Sequence, residues 1–288
     1  MAEGIALQRV WMPCPVCGCD DAATVLTVGR ARAHRVYAGE RPLEVEGAES
    51  LARCRRCGMA YINPQPQLPP HLCSYSPAEE QAYFGATRVE RLQGARRLLT
   101  QLERRLGRPG RLLDVGCGDG ALLTVALERG WRAEGIETSA ALLEQTQAGA
   151  LAGRVRPGRA EVLESRDRQY DAVVLVNVLE HVREPRVALG EAARVLLPGG
   201  MVAVHVPNYA WGRLFGRRWH QLLPLEHLHY FTPATLALLL GQMGLQPVER
   251  FALLAGERHK ALLQRALGAV HIWPGSGLGL LAIKREPA

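Results

Sequence analysis

Apolar and polar positions divide the chain into two regions of different character. Residues 1–70 carry only short runs, with Ala23–Val28 and Arg35–Val45 as expected short strands. Asn63-Pro-Gln-Pro-Gln-Leu-Pro-Pro70 then predicts a stiff connection and a boundary. From Val89 to Leu106, apolar residues at 92, 95, 98, 99, 102 and 106 share one helical face. Beyond Gly107-Arg-Pro-Gly110 the pattern alternates. Strands are expected at Leu112–Val115, Arg132–Ile136, Arg159–Leu163, Asp171–Val176 and Met201–Val206, and then at Gln246–Ala252 and Leu278–Lys284. Helices are expected at Ala121–Glu128, from about Ser139 to Ala148, from Pro185 towards Leu197-Pro-Gly-Gly200, and from Thr232-Pro233 to Gly244. Such alternation predicts an α/β, Rossmann-like doubly wound sheet with its ligand at the carboxyl ends of the strands. The expected organisation is a module over 1–70, a linker and lead-in helix over 71–107, and a main domain over 108–288 with a substrate cap at about 208–231.

The front segment owes its predicted fold to cysteine. Cys14-Pro-Val-Cys17-Gly18 and Cys54-Arg-Arg-Cys57-Gly58 are two C-x-x-C-G knuckles. Four thiolates at this spacing complete a closed tetrahedral site, so structural zinc on Cys14, Cys17, Cys54 and Cys57 is expected. About 60 residues bury too small a core to be secure alone, and metal binding supplies folding energy. Disulfides or a redox pair fit less well, given seven cysteines and no export signal.

In the main domain the strand ending at Val115 runs into Gly116-Cys-Gly-Asp-Gly120 and then a helix. Glycines there let a ligand press against backbone, and a helix start faces it. The spacing also fits a dinucleotide loop, with Glu137 where a ribose-binding acid belongs. Asp114 and Asp119 argue against a pyrophosphate, which carboxylates repel. A cationic nucleoside such as S-adenosylmethionine suits them better. Cys117 is expected to fill space within the loop.

Acceptor chemistry is expected from the later loops. Asn177 and His181 leave the fourth strand, and a histidine there can take a proton from an attacking hydroxyl. Aromatic and imidazole side chains then gather from Tyr209 to Phe231, with His227 and His229 on one face of an extended segment. One of those two is expected to touch substrate. Tyr75, Tyr83 and Phe84 are expected to pack between the two parts, or to cover the cofactor.

Composition adds limits. The net charge of +7 comes almost wholly from scattered arginines, with Lys260 and Lys284 the two lysines. Nucleic acid is thus a disfavoured partner. No apolar run reaches membrane-spanning length, although 261–283 is apolar-rich, and the cytoplasm is the expected location.

Several of these motifs resemble one family. Leu-Asp-Val-Gly-Cys-Gly-Asp-Gly (113–120), Gly-Ile-Glu-Thr-Ser (135–139), Val-Leu-Glu-His-Val (178–182), Leu-Leu-Pro-Gly-Gly (196–200) and Val-Pro-Asn (206–208) resemble the class I S-adenosylmethionine-dependent methyltransferases. The likeness extends to the branch of ubiquinone-type O-methyltransferases and bacterial sugar and natural-product enzymes, some with an N-terminal zinc ribbon. The resemblance implies a seven-stranded sheet with an antiparallel last strand. It places Asp114, Gly116, Gly118 and Gly120 at the methionine portion of the cofactor and Glu137 at the ribose; Cys117, Thr138 and Asn177 are further candidate cofactor contacts. His181 and His227 are then the candidate catalytic residues. Asn177-Val-Leu-Glu stands where many amine methyltransferases carry Asn or Asp, two prolines and an aromatic, which favours an oxygen or carbon acceptor on a small molecule. Rival expectations are an RNA methyltransferase, a non-catalytic zinc-ribbon adaptor and a nicotinamide oxidoreductase.

Overall fold

A computed structural model describes residues 4–28, 35–69, 76–147, 149–253 and 277–285. Tyr75, Cys73 and most of the apolar-rich stretch after 261 lie outside the described residues.

The front segment is built of short strands. These are β1 (Gly4–Ile5), β2 (Gln8–Val10), β3 (Ala22–Val28), β4 (Arg35–Ala38), β5 (Arg41–Val45), β6 (Glu49–Cys54), β7 (Ala60–Ile62) and β8 (Gln65–Gln67). The expected single strand over 35–45 is instead a hairpin, with Gly39 in the left-handed conformation at its turn. Two helices follow. In α1 (Pro77–Ala86), Ser76 caps the amide of Glu79 while Glu79 returns to the Ser76 amide, and proline opens the helix. In α2 (Arg88–Leu106), Leu98, Leu99 and Leu102 are buried and left-handed Gly107 ends the helix.

The main domain then runs β9 (Arg111–Val115), α3 (Ala121–Glu128), β10 (Arg132–Glu137), α4 (Ala140–Gln147), β11 (Val155–Pro157), β12 (Tyr170–Val176), α5 (Pro185–Val195), β13 (Leu196–Pro207), α6 (Tyr209–Phe215), β14 (His229–Tyr230), α7 (Pro233–Gln242), β15 (Leu245–Phe251) and β16 (Gly277–Lys284). Seven of these strands form one sheet in the order β11-β10-β9-β12-β13-β16-β15. β16 is antiparallel to both neighbours, while β9 to β13 pair in parallel. This is the doubly wound sheet with an antiparallel last strand that the motifs imply. Its central strands are mostly apolar because helices cover both faces, with Asp114 a buried exception near the end of β9.

Two expectations need correction. The third strand is Val155–Pro157, not Arg159–Leu163. Ala160 and Leu163 are buried while Val162 is 60% exposed, so the inward positions stand three apart and cannot share a strand face. Pro157 and Gly158 then end the pairing. The helix from Pro185 also stops at Val195, and β13 already begins at Leu196.

One pairing decides where the site can form. β14, from the stretch expected to cap the substrate, is the edge strand of a four-stranded sheet in the order β14-β7-β6-β3. His229 lies opposite Tyr61 and Tyr230 opposite Ala60. The front segment and the cap therefore share one hydrogen-bonded layer.

Candidate functional site

The carboxyl end of β9 opens into a loop that side chains would block. Gly116, Gly118 and Gly120 all have positive φ, between 57° and 75°. A methyl added to Gly116 would meet Val178 at 2.6 Å, and one on Gly118 would meet the Phe84 ring at 2.3 Å. The loop amides are already engaged. Those of Gly116 and Cys117 donate to the Ile136 carbonyl, and that of Gly120 to the Cys117 carbonyl. Asp119 accepts from the Ala121 amide at the start of α3. A phosphate would need these donors.

What the loop offers instead is acid. One oxygen of Glu137 accepts from the Gly118 amide at 2.8 Å, and the other from the amides of Thr138 and Ser139 at 2.6 and 2.9 Å. The carboxylate is thus aimed at the loop. Asp114 is buried, and burial pushes its carboxyl well above the usual range, with the charges of Glu137 and Asp119 adding to the push. A positive charge placed here would relieve all of this. Asp119 is the exception: Arg88 and Arg91 both pair with it. Burial works against that pairing, but the two guanidiniums prevail and hold the Asp119 carboxyl below its ordinary value. Its charge is therefore largely spent within the protein. Cys117 serves packing, since its sulfur lies where a methyl on Gly135 would be, at 2.7 Å.

Helix α1 closes over this loop. Glu80 accepts from the Ser139 hydroxyl, and the guanidinium of Arg91 lies 4.4 Å from the centre of the Phe84 ring while donating to the Phe84 carbonyl. Phe84 thus lies directly over the glycine loop. The sequence signal for this was an aromatic pair directly ahead of the lead-in helix.

Across the sheet, the loop after β12 meets the cap. Asn177 adopts a left-handed conformation and its side-chain oxygen lies 2.9 Å from Nδ1 of His205. His181 and His227 come together edge to face, with ring centres 4.9 Å apart. His229, expected to share a face with His227, instead turns Nε2 towards the Arg183 carbonyl at 3.3 Å. Burial pushes the imidazole of His227 down to about 3, and that of the partly exposed His181 also lies below its ordinary value. Beside them is Glu180, which sequence reasoning did not single out. Its side chain is 1% exposed, and burial raises its carboxyl to about 8. The available clue was one acid within an otherwise apolar run.

The knuckles close as expected. The sulfurs of Cys14, Cys17, Cys54 and Cys57 lie within 4.8 Å of one another, with Cys14–Cys57 at 3.4 Å and Cys17–Cys54 at 3.6 Å. Thiolates around one zinc at ~2.3 Å stand about 3.8 Å apart. Gly18 and Gly58 take the positive φ each turn requires. A cavity of about 570 Å³ lies elsewhere, against Arg111 and Tyr170 at the opposite strand ends, and touches none of these groups.

Sheet order and glycine turn together define a Rossmann-like domain of the type with a reversed strand. Residues 87–250 match the family model described as a methyltransferase domain, and the chain belongs to that family. Among curated relatives, the ubiquinone biosynthesis O-methyltransferase of Alkalilimnicola ehrlichii is 35% identical over 124 residues, 40% of this chain and 50% of that protein. The chain thus spans about half the length of the curated relatives it matches. Among solved structures, the complex between the Haloferax volcanii Trm112 methyltransferase activator and a methyltransferase aligns with a TM-score of 0.56 at 16% identity, covering 73% of this chain and 97% of that one. The Burkholderia thailandensis 1,6-didemethyltoxoflavin-N1-methyltransferase, solved with S-adenosylhomocysteine, aligns with a TM-score of 0.52 at 18% identity, covering 82% and 96%. These two likenesses establish the fold.

Proposed function

We propose that the chain is an S-adenosylmethionine-dependent methyltransferase acting on an oxygen, or a carbon, of a small-molecule acceptor such as a sugar, quinone or natural-product intermediate. The observation that carries this reading is the Glu137 carboxylate aimed at a glycine loop whose amides are already bonded. Such a site has acceptors for ribose hydroxyls and charge for a cation, but few donors left for phosphate. When bound, the cofactor supplies an electrophilic methyl on a sulfonium. Asp114, Gly116, Cys117, Gly118 and Gly120 would hold its methionine portion, Cys117 through its backbone. Glu137 and Thr138 would hold the ribose, with Asn177 close by.

His181 and His227 are the proposed catalytic residues, set in the wall that faces the acceptor. They would orient the attacking oxygen of the acceptor. Alignment of this kind supplies most of the rate in such a transfer. The front end, 1–70, is the zinc-bearing module, with Cys14, Cys17, Cys54 and Cys57 as ligands. Residues 71–107 form the link and lead-in helix, and 108–288 the catalytic domain. The ladder between β7 and β14 supports a role for the module in shaping the acceptor side. Among the described residues no helix is long and apolar enough to cross a membrane.

Calorimetry with S-adenosylhomocysteine on one side and NADH on the other tests the cofactor assignment. Saturable binding of the first alone is expected. Binding of NADH with none of the sulfur nucleoside would overturn it.

A further inference from the structure

Besides the cysteine cluster, one other group of ligating side chains converges among the described residues. Glu180, His181 and His227 each place a ligand atom within 4.8 Å of the other two. Nδ1 of His181 lies 3.0 Å from the Glu226 carbonyl oxygen, and Nδ1 of His227 lies 2.8 Å from that of Gln221. A carbonyl only accepts, so in the neutral rings each Nδ1 carries the hydrogen and each Nε2 keeps its lone pair. Nε2 of His181 stands 3.8 Å from Oε1 of Glu180. Both oxygens of Glu180 are buried and neither has a hydrogen-bond partner. With Glu180 ionised, three electron-pair donors face one another. An unpartnered carboxyl in the interior is costly, and a cation is what all three groups can share.

We infer that Glu180, His181 and His227 hold a divalent transition-metal ion. Two imidazole nitrogens and one carboxylate oxygen form a ligand set for zinc, iron or cobalt rather than magnesium or calcium, which prefer oxygen throughout. Backbone carbonyls on the remote nitrogens are the outer contacts that orient histidine ligands. The two chain segments are held in register, because the amides of Leu228 and His229 both donate to the Glu180 carbonyl, at 2.8 and 3.2 Å. His181 is 41% exposed, so the site opens to one side, unlike the closed cysteine cluster. An ion with three protein ligands and an open position binds an oxygen of a second molecule and acidifies it, the hydroxyl proton leaving to water. That consequence rests on the methyltransferase reading and is the route by which the two histidines would act on an acceptor. The binding of the ion does not depend on it.

The test is a metal count and a cobalt titration on the full chain. Wild-type protein should take two equivalents of cobalt. One should show the intense sulfur-to-cobalt absorption of the cysteine cluster, and the other only the weak bands of a nitrogen and oxygen site. Glu180→Gln and His181→Gln should each weaken the second equivalent at least about tenfold and leave the sulfur band unchanged. His181→Gln changes a partly exposed side chain and keeps the test valid should the buried Glu180 variant fail to fold. One equivalent in wild type, or a second equivalent indifferent to both substitutions, overturns the proposal. S-adenosylhomocysteine binding without a second metal sinks the ion alone, whereas a second metal without that binding sinks the methyltransferase reading alone.

Discussion

The two ends of the proposed site are assembled in opposite ways. At the cofactor end, Glu137 meets the amide of Gly118, 19 residues away in the chain, and the strand, turn and helix that hold them are contiguous. At the acceptor end, His181 meets the carbonyl of Glu226, 45 residues away, and the strand that follows pairs with Tyr61 of the front segment. One end is nearly complete within a single strand–turn–helix unit and the strand beside it. The other exists only if three distant segments have already folded against each other. The comparison implies that the acceptor end depends on the cysteine module more than the cofactor end does.

The largest effect should come from removing the metal proposed for that module. Apparent binding free energies for structural zinc are on the order of 10 kcal/mol, so a double Cys54→Ser and Cys57→Ser variant is expected to lose β6, β7 and the pairing with β14. Methyl transfer should then vanish. Affinity for S-adenosylhomocysteine, measured by calorimetry, should stay within about twofold, the spread normal for independent sites. Loss of both together would show that the two ends are not separable.

The converse substitution is Glu137→Ala. It removes the carboxylate that three amides share, and with it the acceptor proposed for the ribose. At roughly 1.5–3 kcal/mol for each hydrogen bond to a charged group, affinity for S-adenosylhomocysteine should fall at least about 100-fold. The metal content of the cysteine cluster should not change. An unaltered affinity would remove the central support for the cofactor assignment.

Next in size is the clamp between α2 and the glycine loop. Arg91→Ala should cost roughly 1.5–3 kcal/mol in a denaturant titration, the range for a hydrogen bond to a charged partner. The sign with pH follows from Asp119, whose carboxyl the arginines hold below its ordinary value. A depressed carboxyl contributes stability that is fully present above its unfolded value near 3.9 and is lost as pH falls through the folded one. Urea midpoints measured from pH 6 down to pH 3 should therefore fall less steeply in Asp119→Asn than in wild type. Equal slopes would mean that the arginines do not stabilise the charge.

The same contrast explains how much of the molecule was legible in its sequence. Asp114, the three glycines and Glu137 announce themselves because the strand, turn and helix they need are contiguous. The two knuckles do so because metal chemistry fixes their spacing. Strand β11 was misplaced because it is three residues long and its pattern competes with a better alternation just beyond it. The pairing of His181 with His227, and Glu180 behind them, could not be read at all. Nothing local indicates that residues 178–182 and 226–229 face each other, since the contacts that bring them together, from the β7–β14 ladder to the Glu180 carbonyl, join segments far apart in the chain. Asp119 was legible as an acid but not as a spent one, because its arginines sit in the preceding helix.

The smallest effect tests whether the front module reaches the cofactor end by any other route. The direct links from β4 and the turn beyond it to α1 are Tyr37, whose hydroxyl donates to Glu79 at 2.9 Å, and Glu40, which accepts from the amide of Ala78 at 3.2 Å. Both lie exposed, where such contacts contribute little. Tyr37→Phe should therefore change stability by no more than about 0.5 kcal/mol, as surface substitutions generally do. Its effect on S-adenosylhomocysteine affinity should be below the error of calorimetry. A clear weakening would mean that α1, which sets Phe84 on Gly118 and Glu80 on Ser139, is held in place by the cysteine module. The cofactor end would then share the dependence that the β7–β14 ladder gives the acceptor side.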